Sequence, residues 1–252
     1  MQLINGDCLE VMKSIPDKSV DMVLCDLPYG TTACKWDNVI PFEPMWEHLN
    51  RIIKDNGAIC LFGIEPFSSY LRISNIKNFK YDWIWNKTKP VNFLNAKKMP
   101  LKDVEIISVF NSKIYYPQGL IPVNKHIRVD KKHTIKNSHI TGFNGGELRT
   151  NYIQYNSNYP RQVIKFSVEG KPVHPTQKPV ALLEYLIKTY TLENETVLDF
   201  TMGSGSTGVA AVKNHRDFIG IELDKKYFEI AKERINEAAM LNSIAYKSTV
   251  GR

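Results

Sequence analysis

No stretch of this chain approaches the roughly 20 consecutive apolar residues that a membrane-spanning helix needs. The opening residues, Met1-Gln2-Leu3-Ile4-Asn5-Gly6-Asp7, contain no basic cluster followed by an apolar stretch, so no secretory signal is expected. Cysteine is scarce: Cys8, Cys25, Cys34 and Cys60 lie 17, 9 and 26 positions apart and form no CxxC pair. That spacing favours small buried side chains in a reducing compartment over a disulfide frame or a zinc site. Internal repeats and low-complexity tracts are missing as well. These absences lead to the expectation of a cytoplasmic protein with no membrane partner and no metal. What remains is ordinary for a globular chain: 43% hydrophobic and 23% charged residues over 252 positions, enough for one large domain with an insertion.

Acidic residues are thin in one segment. Residues 111–172 hold ten Lys or Arg against three Asp or Glu, while the rest carries 23 of each sign, so the net +7 falls within 62 residues. Seven aromatics (Tyr115, Tyr116, Phe143, Tyr152, Tyr155, Tyr159, Phe166) are interleaved with those charges. Basic groups neutralise phosphates and aromatic rings stack on bases, so the mixture suits a nucleic-acid surface. A lysine-decorated insertion that binds nothing has the same composition, and charge alone leaves the two readings level. The candidate contacts are Lys125, Arg128, Lys131, Lys132, Lys136, Arg149 and Arg161.

Elsewhere short apolar runs alternate with amphipathic stretches. Strands are expected at 3–5, 20–25, 58–62, 81–85, 104–110, 196–200 and 218–222. Helices are expected at 8–14, 43–54 and 68–74, from Pro179 as a first helical residue, after a glycine loop as far as Val212, and over 226–241. Such alternation means an α/β fold: a Rossmann-like, three-layer, mostly parallel sheet with helices on both faces. Over 111–172 the signals are turns and short strands.

Two short words carry chemistry. Asp199-Phe200-Thr201-Met202-Gly203-Ser204-Gly205-Ser206-Thr207-Gly208 closes a strand and opens a helix, where an open α/β sheet places its ligand. Gly203 and Gly205 are expected to let the backbone approach that ligand closely. Glu222 ends the next strand, 17 residues after Gly205, where an acid can take the two hydroxyls of a ribose. The same letters match GxGxxG with a downstream acid, so a nicotinamide dinucleotide, and with it an NAD(P)-dependent dehydrogenase, fits as well. No Lys follows the glycines, which argues against a P-loop. The second word, Asp26-Leu27-Pro28-Tyr29-Gly30, ends the apolar run 20–25.

Asp26-Leu27-Pro28-Tyr29 resembles the catalytic loop of the amino-methyltransferases that modify DNA bases, and the glycine word resembles the loop with which they hold S-adenosylmethionine. His174-Pro175-Thr176-Gln177-Lys178-Pro179 resembles the family's HPTxKP segment, and Asn5-Gly6-Asp7-Cys8 the loop edging the cofactor adenine. With the catalytic word first, the chain is similar to the β group, which carries these units in circularly permuted order. The resemblance implies a catalytic half over 1–110, an inserted target-recognition region over 111–172, and a cofactor-binding half over 173–252. It implies S-adenosylmethionine bound by Asp7, Cys8, Lys178, Asp199, Thr201, Gly203, Ser204, Gly205, Ser206, Thr207 and Glu222, with Lys178 on the cofactor's carboxylate. Where the family has Phe before x-Gly, this chain has Thr201, and period-2 alternation aims Phe200 at the opposite face.

The resemblance also implies the chemistry. Asp26 and the Leu27 carbonyl would accept the two amine hydrogens of a flipped base, Pro28 would stiffen the turn, and Tyr29 would offer its face for stacking. Members with Asp at position 26 mostly act on adenine N6 and those with Ser on cytosine N4. The expectation is therefore adenine-N6 methylation of double-stranded DNA, with cytosine N4 as the alternative. Members of the group are often dimeric, so a homodimer is a candidate assembly, and a cognate restriction endonuclease is a candidate partner.

Overall fold

A computed structural model describes residues 1–30, 38–128, 134–135, 146–147, 151–168 and 177–250. The strands are β1 (Gln2–Asn5), β2 (Val20–Asp26), β3 (Ile53–Gly63), β4 (Phe79–Val91), β5 (Lys102–Phe110), β6 (Ile121–Arg128), β7 (Thr134–Ile135), β8 (Gly146–Glu147), β9 (Asn151–Ser157), β10 (Val163–Lys165), β11 (Thr196–Asp199) and β12 (Asp217–Glu222). The helices are α1 (Cys8–Met12), α2 (Phe42–Ile52), α3 (Phe67–Ser74), α4 (Val180–Tyr190), α5 (Ser206–Lys213) and α6 (Lys225–Val250).

Eight strands form one sheet in the order β1-β12-β11-β2-β3-β5-β4-β10, and only β5 runs against the rest. Strands covered on both faces read as continuous apolar runs. In β2, Met22 and Leu24 enter the core that holds Leu182, Leu186, Ala210 and Ile235, from α4, α5 and α6. Val23 and Cys25 enter the opposite core with Met12, Met45, Leu49 and Leu71, from α1, α2 and α3. Alternating side chains therefore serve two helical layers, which is the three-layer α/β architecture expected from the sequence.

The chain divides into two compact units: residues 1–116 with 162–252, and residues 117–161. Within the smaller unit β6 pairs antiparallel with β9, and β7 with β8. The flanks of the basic segment belong to the larger unit. Tyr115 stacks on Trp83 at 6.4 Å, and the Phe166 carbonyl accepts from Trp85 Nε1 at 2.8 Å, so these aromatics serve packing.

Boundaries move where one pattern hides another. The apolar face expected over 43–54 merges a helix with the strand that follows at once; α2 stops at Ile52, and Ile53 already pairs with Val20. Pro179 caps α4 in an extended conformation (φ −61, ψ 128) instead of starting it. β4 runs six residues past Trp85, through Lys87, Lys89 and Pro90, polar and proline positions that conceal a strand. Among the described residues no helix is long and apolar enough to cross a membrane.

Candidate active site

Consecutive connections diverge between β2 and β11. From β2 the chain passes through α2 to β3 on one side, and from β11 through α5 to β12 on the other. A crevice opens at such a switch point, beyond the carboxyl ends of the strands. Val197 pairs with Met22 and Leu198 with Val23, so the two sequence words, ending β2 and β11, meet there. A cavity of about 900 Å³ fills the crevice. Its wall includes Asp26, Leu27, Pro28 and Tyr29 together with Asp7, Cys8, Lys178, Asp199, Thr201, Gly203, Ser204, Ser206, Thr207 and Glu222.

Gly205 is the exception among the predicted cofactor residues. It is not on the wall, and a Cβ there would lie 2.9 Å from that of Ala231. Its φ of +80 and the close passage of α6 require glycine, not the approach of a ligand. Gly203 also has a left-handed backbone (φ +52), but nothing lies within 4 Å of a Cβ built on it. Open space above a backbone corner on the cavity wall is room for a ligand.

The acidic and glycine-loop residues brace one another. Glu222 Oε2 accepts from the Gly203 N–H at 2.8 Å and Oε1 from the Asp224 N–H at 2.8 Å. Burial pushes this carboxyl up. Asn5 ties β1 to β12 by donating to the Glu222 carbonyl at 2.7 Å, which sets Asp7 beside this corner. Asp7 Oδ1 caps α1, accepting from Leu9 and Glu10, so an acceptor role toward a ligand falls to its other oxygen. Arg234 of α6 donates to the Ser204 carbonyl and at 3.0 Å to its hydroxyl, a brace that no local motif reveals. Asp199, with burial as the leading cause, is pushed up to about 7, and Cys8, mainly by burial, up to about 12.

Thr201 joins the two words directly. Its hydroxyl donates to the Asp26 carbonyl at 2.9 Å and lies 2.9 Å from Cys25 Sγ. A hydroxyl has one proton, and the carbonyl can only accept, so the Cys25 thiol donates to Thr201. Burial pushes that thiol well up, which keeps the proton in place. Phe200 is buried in the α1–α3 layer, on the face expected for it. Tyr227, in the first turn of α6, supplies an aromatic side chain to the cavity wall.

Beneath the cavity lies a network of alternating charge. Lys178 Nζ donates to Asp26 Oδ2 at 2.5 Å, stands 3.5 Å from Glu105 Oε2, and sits 5.2 Å from the centre of the Phe62 ring. Lys87 donates to Glu105 Oε1 at 2.8 Å. Tyr29 donates its hydroxyl to Asp26 Oδ1 at 2.5 Å and packs on Phe67 with ring centres 5.1 Å apart. Burial pushes the Asp26 carboxyl up and Lys178 pulls it back in part. Glu105 is also pushed up by burial, but Lys178 and Lys87 outweigh this and hold it low. The Tyr29 phenol is pushed well up by burial and stays a donor. Lys178 was expected on the cofactor's carboxylate. The structure places its ammonium between two carboxylates of the chain, because a cation only 7% exposed needs compensating charge at close range. Glu105 is a site residue that the sequence motifs do not mark, though an acid inside the apolar run 104–110 was its signal.

Lys125 and Arg161 are exposed. Arg128 ends β6, while Lys131, Lys132, Lys136 and Arg149 lie outside the described residues, as do His174, Pro175 and Thr176. Among the described residues no group of acids, His or Cys could hold a metal ion.

Comparison with known proteins gives this geometry a family. Residues 20–233 match the N6/N4 methyltransferase model, described as DNA methylase. Type II methyltransferase M.HinfI of Haemophilus influenzae is 30% identical, over 93% of this chain and 68% of its own length. Type II methyltransferase M2.LlaDCHI of Lactococcus lactis subsp. cremoris is 28% identical, over 94% and 90%. The crystal structure of an M1.HpyAVI–SAM complex superposes with a TM-score of 0.63 at 27% identity, covering 93% of this chain and 98% of that one. The cytosine-N4-specific PvuII methyltransferase, at 18% identity and a TM-score of 0.61, shares the fold. The dehydrogenase alternative, which rested on the glycine letters alone, is set aside by this match. The chain belongs to the N6/N4 DNA methylase family and is an S-adenosylmethionine-dependent DNA methyltransferase.

Proposed function

We propose that this enzyme methylates the N6 amine of adenine in double-stranded DNA, and that Asp26, Leu27, Pro28 and Tyr29 hold the target. The observation that carries the proposal is the Asp26 carboxylate on the cavity wall, fixed by Lys178 on one oxygen and Tyr29 on the other. S-adenosylmethionine, when bound, supplies an electrophilic methyl group. The chain's own part is to hold the amine so that its lone pair, otherwise delocalised into the ring, points at that methyl. Asp26 accepts one amine hydrogen and the Leu27 carbonyl the other. Much of the acceleration comes from this positioning and from the negative charge held where the amine becomes positive. The Gly203 corner, with Glu222 beside it, takes the ribose of the cofactor, and Tyr227 offers the aromatic face that Phe200 does not.

A paired adenine presents its amine inside the duplex, so the base must be flipped out. The 117–161 unit, with Lys125 and Arg161 exposed, is assigned to target recognition. The Type II relatives support a cytoplasmic setting, a cognate endonuclease and, from the family's habit, a homodimer. Incubation with tritiated S-adenosylmethionine and unmethylated DNA, followed by separation of the nucleosides, tests the reading. Label in N6-methyldeoxyadenosine is the expected result; label in N4-methyldeoxycytidine would keep the mechanism and overturn the base.

Thr201 positions the catalytic loop. Thr201→Val keeps its shape but leaves the Asp26 carbonyl and the Cys25 thiol without this partner. Losing a buried hydrogen bond of this kind costs about 1–3 kcal/mol, so kcat should fall about tenfold. Cofactor affinity should stay within about twofold, and Thr201→Ser should restore most of the rate. A loss of cofactor binding equal to the loss of rate would instead make Thr201 a cofactor residue.

A further inference from the structure

The basic insertion holds every DNA-binding candidate that the sequence singles out, yet a second basic element stands on the catalytic edge of the sheet. Residues 87–102 contain five lysines and no acid, an excess concealed when the remainder of the chain is summed to zero. Asp26 is level with Phe62, Phe62 with Ile107, and Ile107 with Trp83. β4 points the same way as β2, so everything past Trp83 overhangs the catalytic loop. On β5 the overhang from Ile107 to Lys102 is five residues, or roughly 17 Å at the rise of a strand.

The tip of this hairpin is a built turn. Asn92 takes a left-handed conformation (φ 76), and a 3₁₀ turn follows at Phe93–Asn95. The Asn92 and Asn95 carbonyls accept from Asn95 and Met99, and the Asn95 side chain donates to that of Asn92 at 2.8 Å. With its backbone bonded internally, the turn displays Leu94 at 100% exposure and Phe93 at 67%. Lys89, Lys97, Lys98 and Lys102 surround this pair, all exposed, and among the described residues none of the four is in an ion pair. Two large apolar side chains on a loop tip ringed by such cations are costly to display in water and match a polyanion with an apolar interior.

We propose that the β4–β5 hairpin is a DNA arm: its lysines bind backbone phosphates, and Phe93 and Leu94 enter the base stack beside the flipped nucleotide. The proposal rests on the DNA methyltransferase reading and extends it to a surface outside the 117–161 unit. Flipping opens a gap in the stack, and apolar side chains that fill such a gap offset the cost of unstacking. A basic, apolar tip can also suit an anionic membrane surface, but its place above the catalytic loop favours DNA.

Two exposed double variants test the arm against sonicated, unmethylated genomic DNA. K97Q/K98Q should make the slope of log binding constant against log salt shallower by about 2, since each phosphate left without its lysine removes about one unit. F93S/L94S should leave the slope nearly unchanged while slowing methylation of duplex DNA about tenfold or more, with S-adenosylmethionine affinity within about twofold. An unchanged slope in the first variant overturns the phosphate contacts, and an unchanged rate in the second overturns the wedge. Binding to phosphatidylglycerol vesicles that both variants abolish, with DNA binding intact, would overturn the choice of partner. Label appearing in cytosine would sink the adenine reading and leave this test untouched. If the wild-type protein binds DNA without methylating it, the methyltransferase reading fails, and the wedge is judged by DNA affinity, which F93S/L94S should lower.

Discussion

Asp26→Ala should abolish methyl transfer, by a factor of about a thousand or more, while S-adenosylmethionine affinity stays within a few-fold. The size follows from what is removed: the charged acceptor placed for the amine, in a site where one oriented partner is worth about 100- to 1000-fold. Fold and cofactor pocket should survive because the deletion does not strand a bare charge. Lys178 keeps Glu105 at 3.5 Å, and Glu105 keeps Lys87 at 2.8 Å. Breaking a buried pair is severe when one partner is left uncompensated, and here the network closes up. Asp26→Asn is the finer control, since its carbonyl oxygen can still accept a hydrogen bond but carries no charge. It should recover some of the rate without reaching the wild type. Equilibrium binding of labelled cofactor beside single-turnover methylation separates the two effects. Parallel loss of both would reassign Asp26 to cofactor binding or folding.

The catalytic and glycine words were legible because each is a local signal: a buried strand ending on a carboxylate, and a strand-to-helix turn built on glycines. Their meeting was not. Asp26 and Asp199 come together because β11 pairs with β2, a fact of strand order that no spacing encodes. The same limit hid Glu105, which approaches Lys178 only because β5 lies beside β3 and β4 in the sheet. Gly205 looks like a ligand contact because its letters belong to the loop, whereas its neighbour is Ala231 of a helix 26 positions further on. The departure at Thr201 was visible as a missing aromatic, but the replacement hydroxyl's reach to the Asp26 carbonyl required the backbone. Charge was legible only at the scale over which it was summed, and a 62-residue excess masked a 16-residue one.

Lys178→Met should lower kcat near neutral pH and move the ascending limb of its pH profile upward by roughly 1–3 units, the usual pull of a cation at this distance. The sign follows from the groups around Asp26. Burial raises its carboxyl and the Glu105 charge raises it further; the Lys178 ammonium is the leading influence in the other direction. Without that cation the carboxyl keeps its proton to higher pH, and a protonated Asp26 has lost the charge that draws the amine hydrogen. Asp26 and Glu105 then titrate as a pair, so the limb should broaden as it moves. Methionine nearly preserves the volume and suits the packing against Phe62. Lys178→Arg keeps the charge and should hold the profile near its original position, even if the larger head lowers the maximum rate. The variants separate two roles for the same lysine. If Lys178 serves the cofactor's carboxylate, as the family resemblance implied, its loss raises the dissociation constant for S-adenosylmethionine and leaves the pH profile where it was. If it serves Asp26, as the 2.5 Å hydrogen bond indicates, the profile moves and cofactor affinity changes little, which kcat measured from about pH 5 to 10 at saturating cofactor decides.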